Sequence, residues 1–360
     1  MRTTIRQIAE QSSLSIQTVS QILNGNSSAF RPDTQERVFR AARELGYRPN
    51  ASARAMQSGR FGAVSLLLST HNERSLLPSG LLDGLLDGTA ANNLSLHIAR
   101  LPDETLVNPE ALPKVLRELS VDGLLIKYDS AAPSEMIALI EQSKFPALWL
   151  NSRETYDCIY TDDLGAGRTA TEYLLSLGHR RIAYVDWLHA GHYSRDDRLA
   201  GYREAMETAG LEPYELWPQA NWKIEPSFDQ SDQAVQQTVQ RPFIQTNADQ
   251  IRTTFDWLIA PDRPTALVTY HGGMALAIYH AALLLNLRIP QDLSLITFSD
   301  QTLNPIGVDI AAMLLPQRLL GIRAIEMLLE KQRAPALHLP SCTLALELAA
   351  GATTAPPPDE

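Results

Sequence analysis

Residues 4–24, TIRQIAEQSSLSIQTVSQILN, predict two short amphipathic helices joined by a tight turn. Thr4 and Gln7 have the spacing of a capping box, which begins the first helix. Ser15 can cap the second helix, whose apolar side chains recur at the spacing of one helical face. A third helix is predicted to begin at Pro32, because proline favours the first helical position. The first fifty residues therefore predict a small all-helical unit.

Charge is distributed unevenly along the 360 residues, which together have a formal net charge of −10. Residues 1–60 hold nine arginines and four acidic side chains, a net charge of +5, so the rest of the chain holds −15. A basic unit on an acidic body is typical of proteins whose smaller part binds a polyanion. An arginine-rich surface that only contacts solvent would give the same counts, so charge alone leaves both interpretations open.

From residue 63 the pattern changes to alternating apolar strands and helices. This alternation predicts right-handed crossovers and parallel sheets, and the length suits two lobes of roughly 140 residues each. Residues 223–247 fit neither pattern and predict a surface insertion, whereas the proline-rich end, residues 351–360, predicts a disordered tail. The predicted strands are Ala63–Leu68, Leu94–Ala99, Gly123–Ile126, Ala147–Leu150, Cys158–Tyr160, Ile182–Val185, Ala266–Val268 and Leu293–Phe298, and the predicted helices cover residues 80–92, 109–119, 134–142, 164–177, 197–209, 248–259, 274–286 and 317–331.

Composition excludes several classes of protein. With 44% hydrophobic and 20% charged residues, the chain can build packed cores. No apolar run reaches the roughly 18 residues of a membrane helix, and the polar first residues lack the apolar core of a signal peptide. Two cysteines, Cys158 and Cys342, are too few for a disulfide framework and lack zinc-site spacing. We expect a cytoplasmic protein that needs no metal ion or other cofactor.

The sequence contains no recognisable catalytic signature. Gly165-Ala166-Gly167 precedes a predicted helix but lacks the third glycine of a dinucleotide-binding loop, so close helix packing explains it better. The densest polar stretch, residues 186–198, places His189 and His192 beside carboxylates. These groups could bind a metal, but a loop at the carboxyl end of a parallel strand fits better, because α/β folds place ligand contacts there.

A series of motifs follows residues 4–24 in a fixed order: residues 45–50 (LGYRPN), 53–56 (ARAM), 121–125 (VDGLL), 177–183 (LGHRRIA), 198–202 (RLAGY) and 289–294 (IPQDLS). With these motifs the chain resembles the lactose/galactose repressor (LacI/GalR) family of transcriptional regulators over residues 3–350. The resemblance implies an N-terminal all-α helix-turn-helix head with a hinge helix. A two-lobed α/β body with parallel sheets, similar to a periplasmic binding protein, would follow.

The resemblance also implies domain boundaries. Residues 1–49 would be the helix-turn-helix DNA-binding domain, residues 50–60 the hinge, and residues 61–350 the effector-binding and dimerisation domain. Within that domain, lobe 1 would comprise about 61–160 and 294–320, and lobe 2 about 161–293 and 321–350.

For the head, the resemblance implies a homodimer that binds a pseudo-palindromic operator in double-stranded DNA. The second helix would enter the major groove by its N-terminal end, where Gln17 can read a base edge. Gln21 stands where the family usually has a basic residue, and Ile16 where it often has a larger polar or aromatic one, so we expect a different operator sequence. Met56 occupies the position of the family's minor-groove wedge. The implied DNA contacts are Thr4, Arg6, Ser15, Ile16, Gln17, Thr18, Ser20, Gln21, Asn24, Asn50, Ala53, Arg54 and Met56.

For the body, the resemblance implies a small-molecule effector, a sugar or related metabolite, between the lobes. Arg198 would offer a fork of donors, and Trp222 a flat face on which a sugar ring can stack. Sugar-binding members usually have Asn or Asp at the position of His271, and Asp at that of Ser299. Loss of this carboxylate favours an anionic or less hydroxylated effector. The implied effector contacts are Asn151, Tyr160, Arg198, Trp222, His271 and Ser299.

The sequence thus predicts a DNA-binding repressor that is controlled by an effector and is not an enzyme. Two alternatives stay open. The chain could be a small-molecule binding protein with a weakened DNA-binding head, which the departures at Ile16 and Gln21 favour. It could also be a hydrolase or transferase on a two-lobed body, which the missing catalytic set disfavours.

Overall fold

The computed structural model describes residues 3–24, 27–48, 59–70, 75–101, 120–129, 132, 134–143, 145–186, 192–216, 248–304 and 307–358. Contacts divide the chain into two units: a helical head within residues 1–64, joined by residues 114–122, and a body that forms the rest. The hinge residues 50–58, the helix predicted at 109–119 and the insertion at 223–247 lie outside the described residues. Within the described ranges, no helix is long and apolar enough to cross a membrane.

The head has the three helices that its sequence predicts: α1 (Ile5–Ser12), α2 (Ile16–Leu23) and α3 (Pro32–Glu44). The capping box of Thr4 and Gln7 is present, and the Ser15 side chain caps α2. Apolar side chains from all three helices form one small core, and its buried members include Ile8, Val19, Ile22, Val38 and Ala41.

The body alternates strands and helices, as expected. Its strands are β1 (Ala63–Ser69), β2 (Ser95–Leu101), β3 (Leu124–Lys127), β4 (Ala147–Leu150), β5 (Cys158–Thr161), β6 (Ile182–Val185), β7 (Tyr214–Leu216), β8 (Ala266–Thr269), β9 (Ser294–Ser299), β10 (Ala311–Leu314), β11 (Cys342–Leu344) and β12 (Glu347–Ala349). Its helices are α4 (Ser79–Ala91), α5 (Ser134–Ser143), α6 (Asp163–Ser176), α7 (Tyr193–Thr208), α8 (Ala248–Ile259), α9 (Gly272–Leu284) and α10 (Gln317–Arg333). The sequence pattern missed the short strands β7, β10, β11 and β12.

These strands form two sheets, one in each lobe. The first has the order β11-β5-β4-β3-β1-β2, and the second has the order β12-β10-β9-β8-β6-β7. Neighbouring strands from β11 to β1 are parallel. In the second sheet, β10, β9, β8, β6 and β7 are parallel, whereas β12 is antiparallel to β10. The carboxyl ends of the parallel strands within each sheet therefore meet at one edge.

The predicted division of the C-terminal half between the lobes is wrong. Residues 294–314 were expected in lobe 1, but β9 and β10 pair with each other inside the second sheet. Residues 321–344 were expected in lobe 2, but α10 packs on α4 and β11 pairs with β5 of the first sheet. The chain thus crosses between lobes at residues 161–163, 314–317 and 344–347, because strand pairing, which the sequence pattern does not show, sets these positions.

Glycines allow the main helix pairs of both lobes to pack closely. A Cβ on Gly84 of α4 would collide with the backbone carbonyl of Arg318 in α10. In the second lobe, a Cβ on Gly167 of α6 would collide with the backbone of Arg198 in α7, and one on Gly201 with that of Leu164. The interpretation of Gly165-Ala166-Gly167 as a packing motif is confirmed at Gly167.

The C-terminal segment is packed on the second lobe, so the prediction of a disordered tail at 351–360 is wrong for residues 351–358. Thr353 is fully buried; its hydroxyl donates to the Leu295 carbonyl at 2.6 Å and accepts from the Ala311 amide at 2.9 Å. The buried His179 ring bonds the Ala355 carbonyl through Nε2 at 2.8 Å. Proline composition suggested disorder, but these buried backbone partners fix the segment.

We expect Thr353→Val to lower the free energy of unfolding by about 1–3 kcal/mol, because it leaves two buried backbone groups without partners. Urea denaturation of the full chain measures this change. Thr354→Val is the matched control. Thr354 is partly exposed, and its hydroxyl bonds the Tyr173 hydroxyl at 2.9 Å, so the loss of stability should be smaller. Equal stability of Thr353→Val and wild type would contradict this account of the tail.

Candidate functional site

The N-terminal end of α2 presents polar side chains to solvent. Ser15 Oγ accepts the Thr18 backbone N–H at 3.0 Å and also bonds the Thr18 hydroxyl at 2.8 Å. Gln17 and Gln21 are exposed, and Ile16 is an unusual apolar neighbour that is 53% exposed. Because Val19 and Ile22 turn into the head core, the polar residues of α2 share the opposite, open face.

Other predicted DNA contacts lie at the ends of the first two helices. Thr4 and Arg6 are exposed at the start of α1, where Arg6 Nε lies 3.5 Å from the Glu10 carboxylate. At the end of α2, the Asn24 amide donates to Ser20 Oγ at 3.2 Å. The predicted hinge contacts Asn50, Ala53, Arg54 and Met56 lie outside the described residues.

A second polar cluster lies between the lobes of the body, at the carboxyl ends of strands from both sheets. In α/β folds this edge is the usual place for ligand contacts. We call this region the cleft. The first lobe contributes Lys127, Asp129, Asn151 and Thr161, and the second contributes Asp163, Asp186, His192, Tyr193, Arg198, Tyr270, His271, Ser299 and Asp300.

Arg198 is fixed by partners inside the second lobe. Its Nε donates to Asp163 Oδ1 at 2.7 Å, and its Nη1 donates to the Tyr270 carbonyl at 2.7 Å. Its guanidinium also lies over the rings of Tyr270 and Phe298, at 4.8 and 4.3 Å from their centroids. Burial alone would lower the pKa of Arg198, but the Asp163 carboxylate raises it above its ordinary value.

One expectation about this residue is therefore corrected. The sequence suggested that residues 186–198 form a loop, but α7 begins at Tyr193, so Arg198 lies in the second turn of that helix. It is only 5% exposed, and it pairs with Asp163. Asp197 instead pairs with Arg153 of the first lobe, at 2.6 Å.

Hydrogen bonds join the lobes around Asn151. The Tyr193 hydroxyl donates to Asn151 Oδ1 at 3.1 Å and accepts the Thr161 backbone N–H at 3.2 Å. The His192 ring bonds the Asn151 carbonyl through Nε2 at 3.0 Å. Asn151 adopts a left-handed backbone with φ of 53°, which asparagine tolerates better than most residues. Tyr160, another predicted contact, meets the Tyr193 ring edge-on with centroids 5.7 Å apart.

Two histidines in the cleft are held neutral. Burial, with the nearby charge of Lys127, lowers the pKa of His192 to about 4. Burial, with the charge of Arg198, also lowers the pKa of His271 to about 4. His271 caps α9 by accepting the Gly273 N–H through Nδ1 at 2.9 Å, so its ring nitrogen serves as an acceptor.

Sequence reasoning missed Lys127, which is 2% exposed and forms an ion pair with Asp129. Burial lowers the pKa of Lys127 to about 7, although the charge of Asp300 opposes this. It also missed Gln317, whose Nε2 donates to Asp300 Oδ1 at 2.9 Å. Lys127 ends β3 and Gln317 begins α10, both at the cleft edge, and this position is the signal that could have identified them.

Two of the predicted effector contacts, Ser299 and Trp222, remain to be placed. Ser299 ends β9, and its hydroxyl accepts the Gln301 N–H at 3.4 Å. Trp222 and His189 lie outside the described residues. In the part of the chain that is described, no group of three or more His, Cys, Asp or Glu side chains is placed to hold a metal ion.

Comparison with known proteins agrees with both regions. A family model for bacterial regulatory proteins of the lacI family matches residues 4–50, and a model for a periplasmic binding protein-like domain matches residues 171–354. The chain belongs to the LacI family. Its fold is a helix-turn-helix head followed by a two-sheet α/β body similar to periplasmic binding proteins.

Named relatives of this LacI-family protein are regulators. The HTH-type transcriptional repressor PurR of Vibrio vulnificus (strain CMCP6) is 26% identical over 335 residues, which cover 91% of each chain. A structure of the lac repressor dimer bound to operator and the anti-inducer ONPF has a TM-score of 0.74 at 22% identity and covers 99% of this chain and 100% of that one. A structure of a complex of the transcriptional regulator CelR with cellobiose has a TM-score of 0.60 at 22% identity, with coverage of 98% and 100%.

These structural likenesses establish the fold, and the named relatives are transcriptional regulators rather than enzymes. At the level of the family, the protein is therefore a DNA-binding transcriptional regulator.

The buried histidines predict a loss of stability in acid. The unfolded chain takes up a proton on His271 below about pH 6.5, whereas the folded protein does so only near pH 4. The contribution of the neutral His271 ring to the free energy of unfolding is therefore fully present above about pH 6.5 and falls as the pH drops towards 4. Replacing His271→Asn, which can also cap α9, should reduce that fall by roughly 1–3 kcal/mol.

Urea denaturation from pH 8 to pH 4 tests this. Replacing the exposed His97→Asn serves as the control and should leave the pH profile unchanged. If His271→Asn follows the wild-type profile, the ring is not held neutral in the folded protein.

Proposed function

We propose that this protein is a repressor that binds a pseudo-palindromic operator as a homodimer and responds to a small molecule in the cleft. The observation that supports this most directly is the pairing of an exposed polar recognition helix with a separate, buried polar cleft in one chain. Regulation of DNA binding by an effector needs both sites, and it takes place in the cytoplasm, where the DNA is.

For DNA recognition, the proposal assigns Gln17 and Gln21 to base edges, because they lie on the open face of α2 and carry both a donor and an acceptor. Ser15, Thr18, Ser20 and Asn24 would contact phosphates, with Thr4 and Arg6 of α1. Asn50, Ala53, Arg54 and Met56 would bind as a hinge in the minor groove, which rests on the sequence alone. The exposed Ile16 would contact a thymine methyl group.

Dimerisation would cover apolar side chains that a single chain leaves open. Leu86 on α4 and Ile98 on the edge strand β2 are 48% and 50% exposed in the first lobe. Leu283 and Leu284 at the end of α9 are 48% and 68% exposed in the second. Large exposed apolar groups are typical of surfaces that bind another protein, and a second copy of the chain would also supply the second operator half-site.

For the effector, the proposal assigns Asn151, Tyr160, Arg198, His271 and Ser299 to the cleft wall, with Trp222 as a further candidate from the sequence. The effector would bind the two states of the body with different affinity, so it must change operator affinity, and DNA must change effector affinity by the same factor.

Selection of bound sequences from random double-stranded DNA by the full-length protein tests the proposed function. We expect an enriched pseudo-palindrome with two half-sites. A protein that retains no DNA at low salt would instead favour the alternative, a small-molecule binding protein with a weakened head.

We expect operator affinity to fall steeply with salt. Each neutralised phosphate contributes a slope of about −0.9 in log K against log salt, and the basic head of +5 is present twice in a dimer. Titrations at a series of salt concentrations measure the slope. A chain truncated to begin at residue 61 is the control and should not bind. A flat salt response, or binding by the truncated chain, would contradict the assignment to the head.

Replacing Gln17→Ala should relax base choice at one position of each half-site and cost about 1–3 kcal/mol on the selected operator. Binding to a panel of operators with single base changes measures both effects. Gln11→Ala is the matched control, because the Gln11 amide is bound to Glu44 within the head at 2.6 Å. Uniform weakening across the panel would show that Gln17 contacts phosphate instead.

A further inference from the structure

The cations of the cleft are already neutralised by the protein. Among the described residues, Lys127 pairs with Asp129, Arg198 with Asp163 at 2.7 Å, and the Arg195 Nε with Asp186 at 2.5 Å. Arg153 pairs with Asp197 across the lobes. An anionic ligand would have to compete with these carboxylates for the cations that they already bind.

Lys127 is a particularly poor receptor for an anion. It is 2% exposed, its ammonium is bound to Asp129, and burial lowers its pKa to about 7, so its charge is partly lost near neutral pH. The cleft also contains Asp300, which is exposed and accepts its hydrogen bond from the Gln317 amide rather than from a cation. Among the described residues, Asp300 therefore places an exposed negative charge on this side of the cleft.

Gln317 has an acceptor without a partner. It is 6% exposed and begins α10, directly after the chain crosses from the second lobe to the first. Its Nε2 donates to Asp300 Oδ1 at 2.9 Å, whereas its Oε1 is buried and has no hydrogen-bond partner in the part of the chain that is described. A buried carbonyl oxygen without a partner is unfavourable, so such a group in a cleft suits a ligand that supplies a donor.

Packing of the Gln317 side chain against α4 positions its amide at the cleft. Gln317 packs against α4, where a Cβ added to Gly80 would lie 3.2 Å from the Gln317 Cβ. Its other anchor, Asp300, directly follows β9 at the carboxyl edge of the second sheet. The two anchors, one in each lobe, leave Oε1 beside the exposed carboxylate of Asp300.

We infer that the effector presents hydrogen-bond donors to Gln317 and Asp300 and carries no negative charge at that end. The inference rests on the proposed effector cleft. It narrows the sequence-based expectation: a missing carboxylate at Ser299 suggested an anionic or less hydroxylated effector, but Asp300 and the paired cations favour a neutral or amine-bearing one.

Matched probes test the charge class. D-glucose, D-glucosamine and D-glucuronate share one ring and differ in charge, as do D-ribose and D-ribose 5-phosphate. We expect thermal unfolding of the full-length protein to shift upward with neutral or amine-bearing members, and their affinity to exceed that of the anionic counterpart at least about ten-fold. Tighter binding of the glucuronate or the phosphate would overturn the inference, as would the absence of binding by every probe.

A pair of variants tests the residue. Gln317→Leu should weaken the preferred probe about ten-fold, because the donor of that probe loses its acceptor. Gln332→Leu is the matched control: Gln332 lies at the other end of the same helix, and its Nε2 is also buried without a partner, near Gly123. Without ligand, Gln332→Leu should be at least as stable as wild type, since it removes an unpaired polar atom. Gln317→Leu removes an unpaired atom but also the hydrogen bond to Asp300, so its stability should stay close to that of wild type.

Unchanged probe affinity in Gln317→Leu, or equal loss in both variants, would also overturn the inference. Thermal unfolding needs no DNA, whereas operator binding by the wild-type protein is measured separately. A failure of the DNA-binding proposal is therefore distinguishable from a failure of the inference about the effector.

Discussion

The buried ion pair between Arg198 and Asp163 organises the second wall of the cleft. It joins the first turn of α6 to α7, and the second contact of Arg198, with the Tyr270 carbonyl, adds the end of β8. Removing the arginine would leave a fully buried carboxylate unpaired, which typically costs about 3–5 kcal/mol. The close approach of α6 and α7 at Gly167 is what brings the two charges together.

This pairing has a consequence for ligand binding. Two nitrogens of the Arg198 guanidinium already donate to a carboxylate and a carbonyl, and the group stacks on the Phe298 ring. Its orientation is therefore fixed, and its charge is already balanced by Asp163. His192 and His271 are held neutral and therefore add polar groups without charge. Among the described residues, the cleft therefore has many polar groups, and each of its cations is paired with a carboxylate. This combination suits neutral or amine-bearing ligands.

Direct side-chain contacts also join the two lobes. Asn151 contacts both His192 and Tyr193, and Arg153 pairs with Asp197, next to the first crossover between the lobes. In a regulator, such contacts set the starting equilibrium between body states, and an effector can shift it only through different affinity for those states. In the proposed function the head binds operator DNA, so thermodynamic linkage, rather than any shared residue, connects the two proposed sites.

The sequence alone determined the head, since capping residues and helical spacing are local and a short apolar core needs no distant partner. It also determined that strands and helices alternate along the body, because buried parallel strands and amphipathic helices have distinct periodic patterns of apolar residues. The exposed face of α2 followed directly from that local pattern.

Tertiary structure decided what depended on distant pairs. Three features depend on contacts between residues far apart in the chain: the assignment of α10 to the first lobe, the burial of Thr353 on the second lobe, and the pairing of Arg198 with Asp163. Lys127 and Gln317 carry no motif, so only the meeting of two sheet edges shows that they share a cleft with Asp300. Local pattern records burial and periodicity, whereas strand order and charge pairing are set when the chain folds, and these decide the chemistry of the cleft.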